Sequence, residues 1–436
     1  MDKSNVFAIN LVKRTDRRES IISEFSDKEE FQLTIVPAIE HQVGAIGLWQ
    51  TLCGIVRKGY EEDLEYVIIC EDDHTFTSHY SPLIFQKSMA DAMNFQMDVL
   101  LGGVSWFSTC FPVTQRLNWV EKFSGLQFTV IFKKFYTKIL NTNFQDSDAA
   151  DYKLSFLSDQ IYFIYPFISV QKDFGYSDVT LKNNAKKRIV NLFKDSCELV
   201  NAAKQVLSFY KKKIETQVKH QVLADFDKMS VSTYILNSKD CKRNLSRILS
   251  QFEGRSEFDV RIIKLYEHEP TNPENAYWLT LNKIVQQACD EGDDVIIVCD
   301  DNHLFTKEYS RISLIKHIIE GHQLDTKILC GGVDDFETPI PVIRDKFWVK
   351  SFKSSPFIVL YKSVFEKILK LTINKNLTPE NFFREITSNK LVIFPFISIR
   401  EDSNKANLKI IIPSHETISS RLKKIYQIAE SSKISF

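Results

Sequence analysis

The stretch that decides the fold is YVIICEDDHTFTSHYS at residues 66–81, which returns as VIIVCDDNHLFTKEYS at residues 295–310. In both places an apolar segment of strand length ends abruptly in acidic residues. Three further pairs share the offset of 229 residues: LLGGVSWF (100–107) with LCGGVDDF (329–336), NWVEKF (118–123) with FWVKSF (347–352), and IYPFISV (164–170) with IFPFISI (393–399). A constant offset over more than 110 positions indicates an internal repeat.

The repeat predicts two copies of one domain within the 436 residues. We call residues 1–180 the first copy and residues 229–412 the second copy. Between them, residues 181–228 contain neither Gly nor Pro and carry apolar residues three and four positions apart, which predicts a basic helical linker. Its basic face is either solvated or a docking surface for an anionic membrane or acceptor. Residues 413–436 predict a C-terminal helix.

Strand-like and helix-like segments alternate within each copy. In the first copy, VFAINL and FQLTIVPAI are separated by a polar, basic segment, and FQLTIVPAI and YVIIC by an amphipathic one. The second copy has the same succession of segments. Strands that are apolar throughout and alternate with helices are typical of a mainly parallel sheet covered on both faces. The expected fold class is therefore α/β, with two open, Rossmann-like, nucleotide-binding domains.

Composition excludes several classes of protein. Lys+Arg and Asp+Glu are both 56, so no overall basic field attracts nucleic acid. Only 13 residues are Gly, without a G-x-G-x-x-G or Walker pattern, which argues against a glycine-rich phosphate loop. Charged residues from position 2 onward argue against a signal peptide. The lack of an apolar run of about 18 residues argues against a membrane span. Eight Cys without a C-x-x-C pair are typical of reduced thiols, so we expect a cytoplasmic protein, with peripheral contact to the inner membrane left open.

The acidic cluster Glu71, Asp72 and Asp73 is the sharpest chemical feature. Ligands of open α/β sheets gather at the carboxyl ends of strands. Three adjacent acids repel one another unless a cation compensates them, and Mg²⁺ or Mn²⁺ prefers oxygen ligands and also binds phosphate. A solvated loop is the bland alternative, but the position after a buried strand and the repetition at residues 300–303 favour a metal site.

A set of short motifs follows in order along the first copy: Ile9-Asn10-Leu11 with Arg14, Asp16, Arg17 and Arg18; VPAIEH (36–41); Gly44 to Gly47; VIICEDDHTF (67–76); GLQFTVIFKKFYTKIL (125–140); Asp151; and IYPFISVQ (164–171). In this order they resemble motifs of glycosyltransferase family 25, which includes lipopolysaccharide and collagen galactosyltransferases. The resemblance covers most of residues 5–171.

The resemblance implies GT-A-like domains and a metal-dependent transferase that moves a sugar, typically galactose from a UDP-sugar, with inversion. The acceptor would be a glycan, a lipid-linked glycan or a protein. Mn²⁺ or Mg²⁺ is expected at Glu71 and Asp73, and the catalytic base at Asp151, with Asp148 as the next choice. We expect donor binding by Asn10, Leu11, Arg14, Arg17, Arg18, Ala38, Glu40, Glu71, Asp72, Gly102 and Gly103.

Structural alternatives stay open for several of these residues. The arginines suit phosphate through their planar fork but could be solvated. Asp151 could cap a helix that begins near Tyr152. His74 is either a ligand near the metal or a buried structural histidine, since His303 repeats it. Gly102-Gly103 could allow close approach of the donor or form a tight strand-end turn.

The first copy also departs from the resembled family. Thr51-Leu52 stand where Ser-His is usual. This departure favours an alternative function, a non-catalytic nucleotide-sugar- or carbohydrate-binding pseudoglycosyltransferase. Trp49 and its repeat Trp278 lie on an apolar helix in each copy, and we expect both to pack in the cores.

The second copy departs further. It has Asp300-Asp301-Asn302 at the acidic cluster, Asn244-Leu245 in place of the Arg pair, and Glu380 in place of Asp151. Its core segments persist while its site residues change. We therefore expect a degenerate copy that packs against the first or holds the acceptor; Asn302 argues against a second active site.

Overall fold

A computed structural model describes residues 3–175, 187–216, 229–237, 242–265, 273–370, 379–401 and 415–432. The chain divides into two compact units, Met1–Gln205 and Val206–Phe436. Each unit contains an 8-stranded mixed sheet. The α/β fold class is therefore confirmed. No helix within the described ranges is long and apolar enough to cross a membrane.

The first unit has twelve described strands and begins with a strand–helix–strand step. The strands are β1 (Ser4–Asn10), β2 (Phe31–Pro37), β3 (Tyr66–Glu71), β4 (His74–Phe76), β5 (Val99–Leu101), β6 (Trp106–Phe107), β7 (Cys110–Pro112), β8 (Leu117–Val120), β9 (Phe123–Ser124), β10 (Phe128–Phe132), β11 (Ile161–Ile164) and β12 (Ser169–Gln171). The helices are α1 (Thr15–Phe25), α2 (Gly44–Glu61), α3 (Pro82–Asn94), α4 (Lys133–Leu140) and α5 (Ala150–Leu157), and α6 (Arg188–Thr216) follows them.

The second unit repeats this succession of elements. Its described strands are β13 (Val231–Asn237), β14 (Phe258–Lys264), β15 (Val295–Asp300), β16 (His303–Phe305), β17 (Ile328–Cys330), β18 (Phe336–Glu337), β19 (Ile340–Ile343), β20 (Lys346–Trp348), β21 (Ser351–Phe352), β22 (Phe357–Tyr361), β23 (Lys390–Ile393) and β24 (Ser398–Arg400). Its helices are α7 (Lys242–Ser250), α8 (Pro273–Glu291), α9 (Arg311–Gln323), α10 (Lys362–Lys370), α11 (Pro379–Ile386) and α12 (His415–Ser431).

The two large sheets have the same strand order, β2-β1-β3-β10-β5-β11-β8-β7 in the first and β14-β13-β15-β22-β17-β23-β20-β19 in the second. In the first sheet, three of the seven neighbouring pairs of described strands are parallel and four are antiparallel. The prediction of a mainly parallel sheet is therefore wrong. The strand β10 is buried along its whole length and runs antiparallel to β3 and β5. A strand buried on both faces has the same apolar pattern in either direction, so its direction could not be predicted.

The segment predicted as a linker contains helix α6, and residues 181–186 and 217–228 lie outside the described residues. The first part of α6 packs on the first copy. It buries Ile189, Phe193 and Val200, and the Ser196 hydroxyl donates a 2.9 Å hydrogen bond to the Ser105 carbonyl. The limit between the compact units accordingly falls inside this helix, after Gln205.

The strand β3 lies near the middle of the first sheet, between β1 and β10. Its residues Val67 to Cys70 are at most 2% exposed, as the continuous apolar run predicts. Because β1 and β3 are parallel and Ile9 pairs with Glu71, both strands end at the same edge. The acidic cluster and the residues that follow β1 are thereby brought together.

Candidate metal and donor site

Three chain segments meet at the carboxyl edge of the first sheet. The strand β1 ends at Asn10, β3 ends at Glu71, and the short strand β12 ends at Gln171. The strand β12 pairs antiparallel with β4, so Gln171 lies opposite His74, just after the acidic cluster. This pairing places the Gln171 amide beside acids that lie a hundred residues away in sequence.

Asp72 is held on both of its oxygens by the protein itself. Asn10 Nδ2 donates to Asp72 Oδ2 at 2.8 Å, and Arg17 Nη1 donates to Asp72 Oδ1 at 2.9 Å. All three residues are buried. A buried charge needs such partners. Asp72 therefore fixes the start of α1 and the Arg17 guanidinium, and leaves cation binding to its two neighbours.

Glu71 and Asp73 carry the least compensated charge of the cluster. Burial, followed by the negative charge of Asp73 and Asp72, raises the pKa of Glu71 well above its usual range. Burial also raises the pKa of Asp73 to about 7, although Arg17 opposes the shift. Both shifts mean that negative charge is costly at this edge unless a cation is present.

The Asp73 side chain has an unused acceptor. Asp73 is 9% exposed, its Oδ2 lies 3.5 Å from Arg17 Nη1, and its Oδ1 has no hydrogen-bond partner among the described residues. Buried carboxylate oxygens are normally satisfied. A hard divalent cation suits this oxygen and Glu71, and Mg²⁺ needs only one or two protein carboxylates when phosphates complete its shell. The residues present therefore fit the predicted metal.

Asp151 lies close enough to the cluster for its charge to raise the pKa of Glu71. Its Oδ2 accepts from Gly125 N at 3.4 Å and its Oδ1 from Tyr152 N at 2.8 Å, and burial raises its own pKa. The N-cap of α5 is Ala149, so the interpretation of Asp151 as a cap is wrong.

Asp148, the second choice for a base, has a different environment. Lys153 Nζ donates to Asp148 Oδ2 at 2.7 Å, and Gln145 N donates to the same oxygen at 2.8 Å. The backbone hydrogen bond and the lysine together lower the pKa of Asp148. A carboxylate stabilised in this way is a poor proton acceptor.

The remaining predicted donor residues are spread around the end of β1. Ala38 N donates to the Asn10 carbonyl at 2.9 Å, and Arg14 N donates to the Leu11 carbonyl at 2.8 Å. Arg14 is the N-cap of α1 and is half-buried, whereas Arg18 is exposed. Glu40 is exposed and pairs with Lys13 at 3.2 Å. Of the three arginines, Arg17 is the one that contacts the acidic cluster by a described ion pair.

The glycine pair is explained by close packing. A Cβ on Gly102 would lie 2.8 Å from Ser169 Cβ, and one on Gly103 would lie 2.2 Å from the Ser169 carbonyl oxygen. In the second copy, a Cβ on Gly332 would lie 2.0 Å from the Ser398 carbonyl oxygen. These distances support the structural interpretation, since the missing side chains let β12 and β24 approach.

His74 and Trp49 have structural surroundings. His74 Nδ1 lies 2.8 Å from Ser169 Oγ, the ring packs against Phe76, and burial lowers its pKa to about 3. His303 repeats the contact with Ser398 at 2.7 Å, so the histidine is part of the shared core. Trp49 is buried and stacks on a phenylalanine ring, as predicted for a core residue.

The second copy fills the corresponding site with a guanidinium. Arg400 stands at the position of Gln171, and its Nη2 donates to Asp300 Oδ2 at 2.5 Å and to Ser354 Oγ at 2.6 Å. Its Nε lies 3.3 Å from Asp334 Oδ2. Burial raises the pKa of Asp300 to about 6, and Arg400 opposes the shift. Sequence reasoning missed Arg400, although the Gln-to-Arg change two residues after the repeated PFIS segment was visible.

Other second-copy residues named from the sequence are less informative. The side chains of Asn244 and Glu380 lie outside the described residues, and Leu245 is half-buried. Asp301 is buried like Asp72.

A further cluster of ligand types in the second copy was not predicted. Ligand atoms of His317, Glu320 and Asp345 lie within 4.8 Å of one another. The fully buried Lys346 ammonium donates to Glu320 at 2.6 Å and to Asp345 at 2.8 Å. A lysine thus already supplies the positive charge that these acids require.

Comparison with known proteins adds little to this geometry. No protein-family model and no curated protein matches the chain. Matching solved structures include apo UDP-glucose pyrophosphorylase, at 8% identity over 44% of this chain and 82% of that chain, with a TM-score of 0.27. UDP-glucose pyrophosphorylase complexed with UDP-glucose matches at 9% identity over 44% of this chain and 100% of that chain, again with a TM-score of 0.27. Likeness of this size identifies neither a family nor a function.

Proposed function

We propose that the first copy is a metal-dependent glycosyltransferase of the family 25 type. It would move a galactose-like sugar from a UDP-sugar to a glycan, lipid-linked glycan or protein acceptor, with inversion. The observation that carries the proposal is the Asp73 carboxylate, which is buried beside Glu71 with an unsatisfied oxygen at the carboxyl end of a central strand. A donor diphosphate and its metal would complete this site.

The chain's own residues have distinct roles in this proposal. Glu71 and Asp73 would hold Mn²⁺ or Mg²⁺, which neutralises the charge of a departing diphosphate. Arg17 is fixed by Asp72 at 2.9 Å and lies beside the same edge, where its planar fork suits a phosphate. Asn10 donates a hydrogen bond to Asp72 and so helps to fix the Asp72 carboxylate beside the start of α1.

Asp151 is the proposed base. The negative charge of Asp151 contributes to the raised pKa of Glu71, so Asp151 lies near the site. Burial raises the pKa of Asp151 itself. A raised pKa makes a carboxylate a stronger proton acceptor for the hydroxyl of an attacking acceptor. The hydroxyl proton would pass to Asp151 as the acceptor oxygen bonds to the sugar carbon and the diphosphate departs from the opposite face.

One observation favours a second candidate, a pseudoglycosyltransferase that binds donor without turnover. The Thr51 hydroxyl donates to the Gly47 carbonyl at 2.7 Å and accepts from Ile39 N at 2.9 Å, and Leu52 is 1% exposed. The positions where the resembled family has Ser-His are therefore committed to packing.

The two candidates differ in turnover of the donor. The full chain is incubated with individual UDP-sugars and Mn²⁺, Mg²⁺ or EDTA, and release of UDP is measured alongside donor binding by calorimetry. Metal-dependent UDP release supports the transferase. Metal-dependent binding without release, with and without candidate acceptors, supports the pseudoenzyme. The absence of both overturns the proposed function.

A further inference from the structure

The residue at the end of β12 in the first copy and of β24 in the second occupies the same place relative to the acids. The pairing of β12 with β4 sets Gln171 opposite His74, and the pairing of β24 with β16 sets Arg400 opposite His303. The serine–histidine contacts of 2.8 and 2.7 Å hold both pairs of strands together. The two side chains therefore start from equivalent backbone positions.

We infer that this position decides whether a copy takes up a divalent cation: Gln171 leaves the first site open to one, and Arg400 supplies the positive charge in its place in the second. The inference rests on the proposed function, because it concerns the same metal site.

Gln171 contributes a hydrogen bond without a charge. Its Nε2 donates to Glu71 Oε2 at 3.1 Å. An amide orients a carboxylate in this way but leaves the negative charge in place. The Glu71 carboxylate therefore stays available for an external cation, while Asp73 keeps its ion pair with Arg17 at 3.5 Å and one oxygen without a hydrogen-bond partner among the described residues.

Arg400 contributes both the hydrogen bond and the charge. Its guanidinium reaches Asp300 at 2.5 Å and Asp334 at 3.3 Å. A guanidinium stays protonated at all working pH values and its donors match carboxylate oxygens. A divalent ion beside Asp300 would meet this fixed positive charge.

A second substitution accompanies Arg400. Asp334 stands at the repeat position of Ser105, whose hydroxyl donates to the Ser124 carbonyl at 3.0 Å in the first copy. The neutral combination of Gln171 and Ser105 has thus become the charged combination of Arg400 and Asp334. A paired change of this kind preserves the charge balance between two half-buried side chains, as expected for a built-in counter-ion.

The test uses the full chain and Mn²⁺ alone, with bound ion measured by electron paramagnetic resonance and folding checked by circular dichroism. Gln171→Arg should weaken Mn²⁺ binding by at least about 100-fold, because a guanidinium near 4 Å repels a divalent ion. Gln171→Met, which removes the amide without adding charge, should weaken it by less than about 10-fold.

The outcomes separate this inference from the proposed function. Equal Mn²⁺ binding by the unchanged chain and a folded Gln171→Arg variant overturns the inference and leaves the proposed function standing. Absence of Mn²⁺ binding by the unchanged chain overturns the inference, whereas the proposed function is judged separately by the metal-dependent binding and turnover of UDP-sugars.

A reverse variant keeps the inference testable if Gln171→Arg does not fold. Arg400→Gln combined with Asn302→Asp should add a second bound Mn²⁺ per chain. Asn302→Asp alone should not, because Arg400 still occupies the site. A second ion in the single variant, or its absence in the folded double variant, overturns the inference.

Discussion

The ends of β3 and β15 have the same backbone arrangement but different side-chain chemistry. Both follow a buried apolar strand, both precede a histidine bound to a serine, and both lie near a glycine pair packed against the next strand. Glu71 accepts a hydrogen bond from the neutral Gln171, whereas Asp300 accepts one from the charged Arg400. The comparison teaches that a fold and its site can change separately.

The shared features are those whose loss would damage the core. Phe76 and Phe128 pack around His74, and Phe305 and Phe357 pack around His303 in the same arrangement. Deleting a buried aromatic ring typically costs about 3–5 kcal/mol. Replacing a carboxylate at a strand end costs little when another charge compensates it, so the site had freedom that the core lacked.

The largest effect should come from replacing Asp73 of the first copy by asparagine, the residue that the second copy has at Asn302. Asp73→Asn should reduce metal-dependent UDP release by about 1,000-fold or more, since it removes the proposed metal ligand while keeping the shape of the side chain. Steady-state kinetics at saturating Mn²⁺ measure this loss. Asn302→Asp is the matched control in the second copy and should leave the rate unchanged. A fully active Asp73→Asn variant would refute the assignment.

The next effect separates the two candidate bases. Asp151→Asn should lower kcat by about 100-fold or more while donor binding persists, because a general base contributes about 10²–10⁴ in rate. Asp148→Asn should change kcat by less than about 2-fold, since Asp148 is already paired with Lys153. The two variants are compared by kcat and by donor affinity. Equal losses of kcat would contradict the role assigned to Asp151.

A smaller effect tests whether the glycines serve packing in both copies. Gly103→Ala and Gly332→Ala should each destabilise the protein by about 1–3 kcal/mol, because the added Cβ would lie 2.2 and 2.0 Å from a carbonyl oxygen. Gly54→Ala is the control, since its Cβ would meet nothing within 4 Å on helix α2. Urea unfolding measures all three. Loss of donor binding at unchanged stability in Gly103→Ala would instead indicate contact with the donor.

The smallest effect is a dependence of stability on pH. Burial raises the pKa of Asp73 from 3.8 to about 7 in the folded state, so the folded state binds more protons than the unfolded state between these values. Stability should therefore fall as pH rises from about 4 to 7 in EDTA.

Asp73→Asn should flatten that fall, and Mn²⁺ should remove part of it in the unchanged chain. Urea titrations at several pH values measure the slope. If the stability of the Asp73→Asn variant falls as steeply as that of the unchanged chain, the fall arises from a group other than Asp73.

The sequence predicted the elements of this site better than their electrostatics. The run VIIC before Glu71 predicted a buried strand ending at the sheet edge. The family resemblance implied Asp151 as the catalytic base, which stays a prediction, and the charge of Asp151 does raise the pKa of Glu71. The direction of β10 was not predictable, because its burial on both faces removes the alternation that would distinguish the pairings.

The ion pairs of the site could not be predicted from the sequence alone. The bond between Arg17 and Asp72 joins residues 55 positions apart, and that between Arg400 and Asp300 joins residues 100 positions apart. Both depend on strand pairing that brings distant segments to one edge. Alignment of the two copies does show Gln171 in the first and Arg400 in the second. The consequence for the acidic residues becomes clear only from the structure, in which β12 and β24 lie beside them.

The number of Mn²⁺ ions bound per chain tests the difference between the copies most directly. Electron paramagnetic resonance of the full chain titrated with Mn²⁺ should show one tightly bound ion, which Asp73→Asn abolishes and Asn302→Asp leaves unchanged. Two tightly bound ions, none, or one ion that survives in a folded Asp73→Asn variant would contradict the proposed difference between the copies.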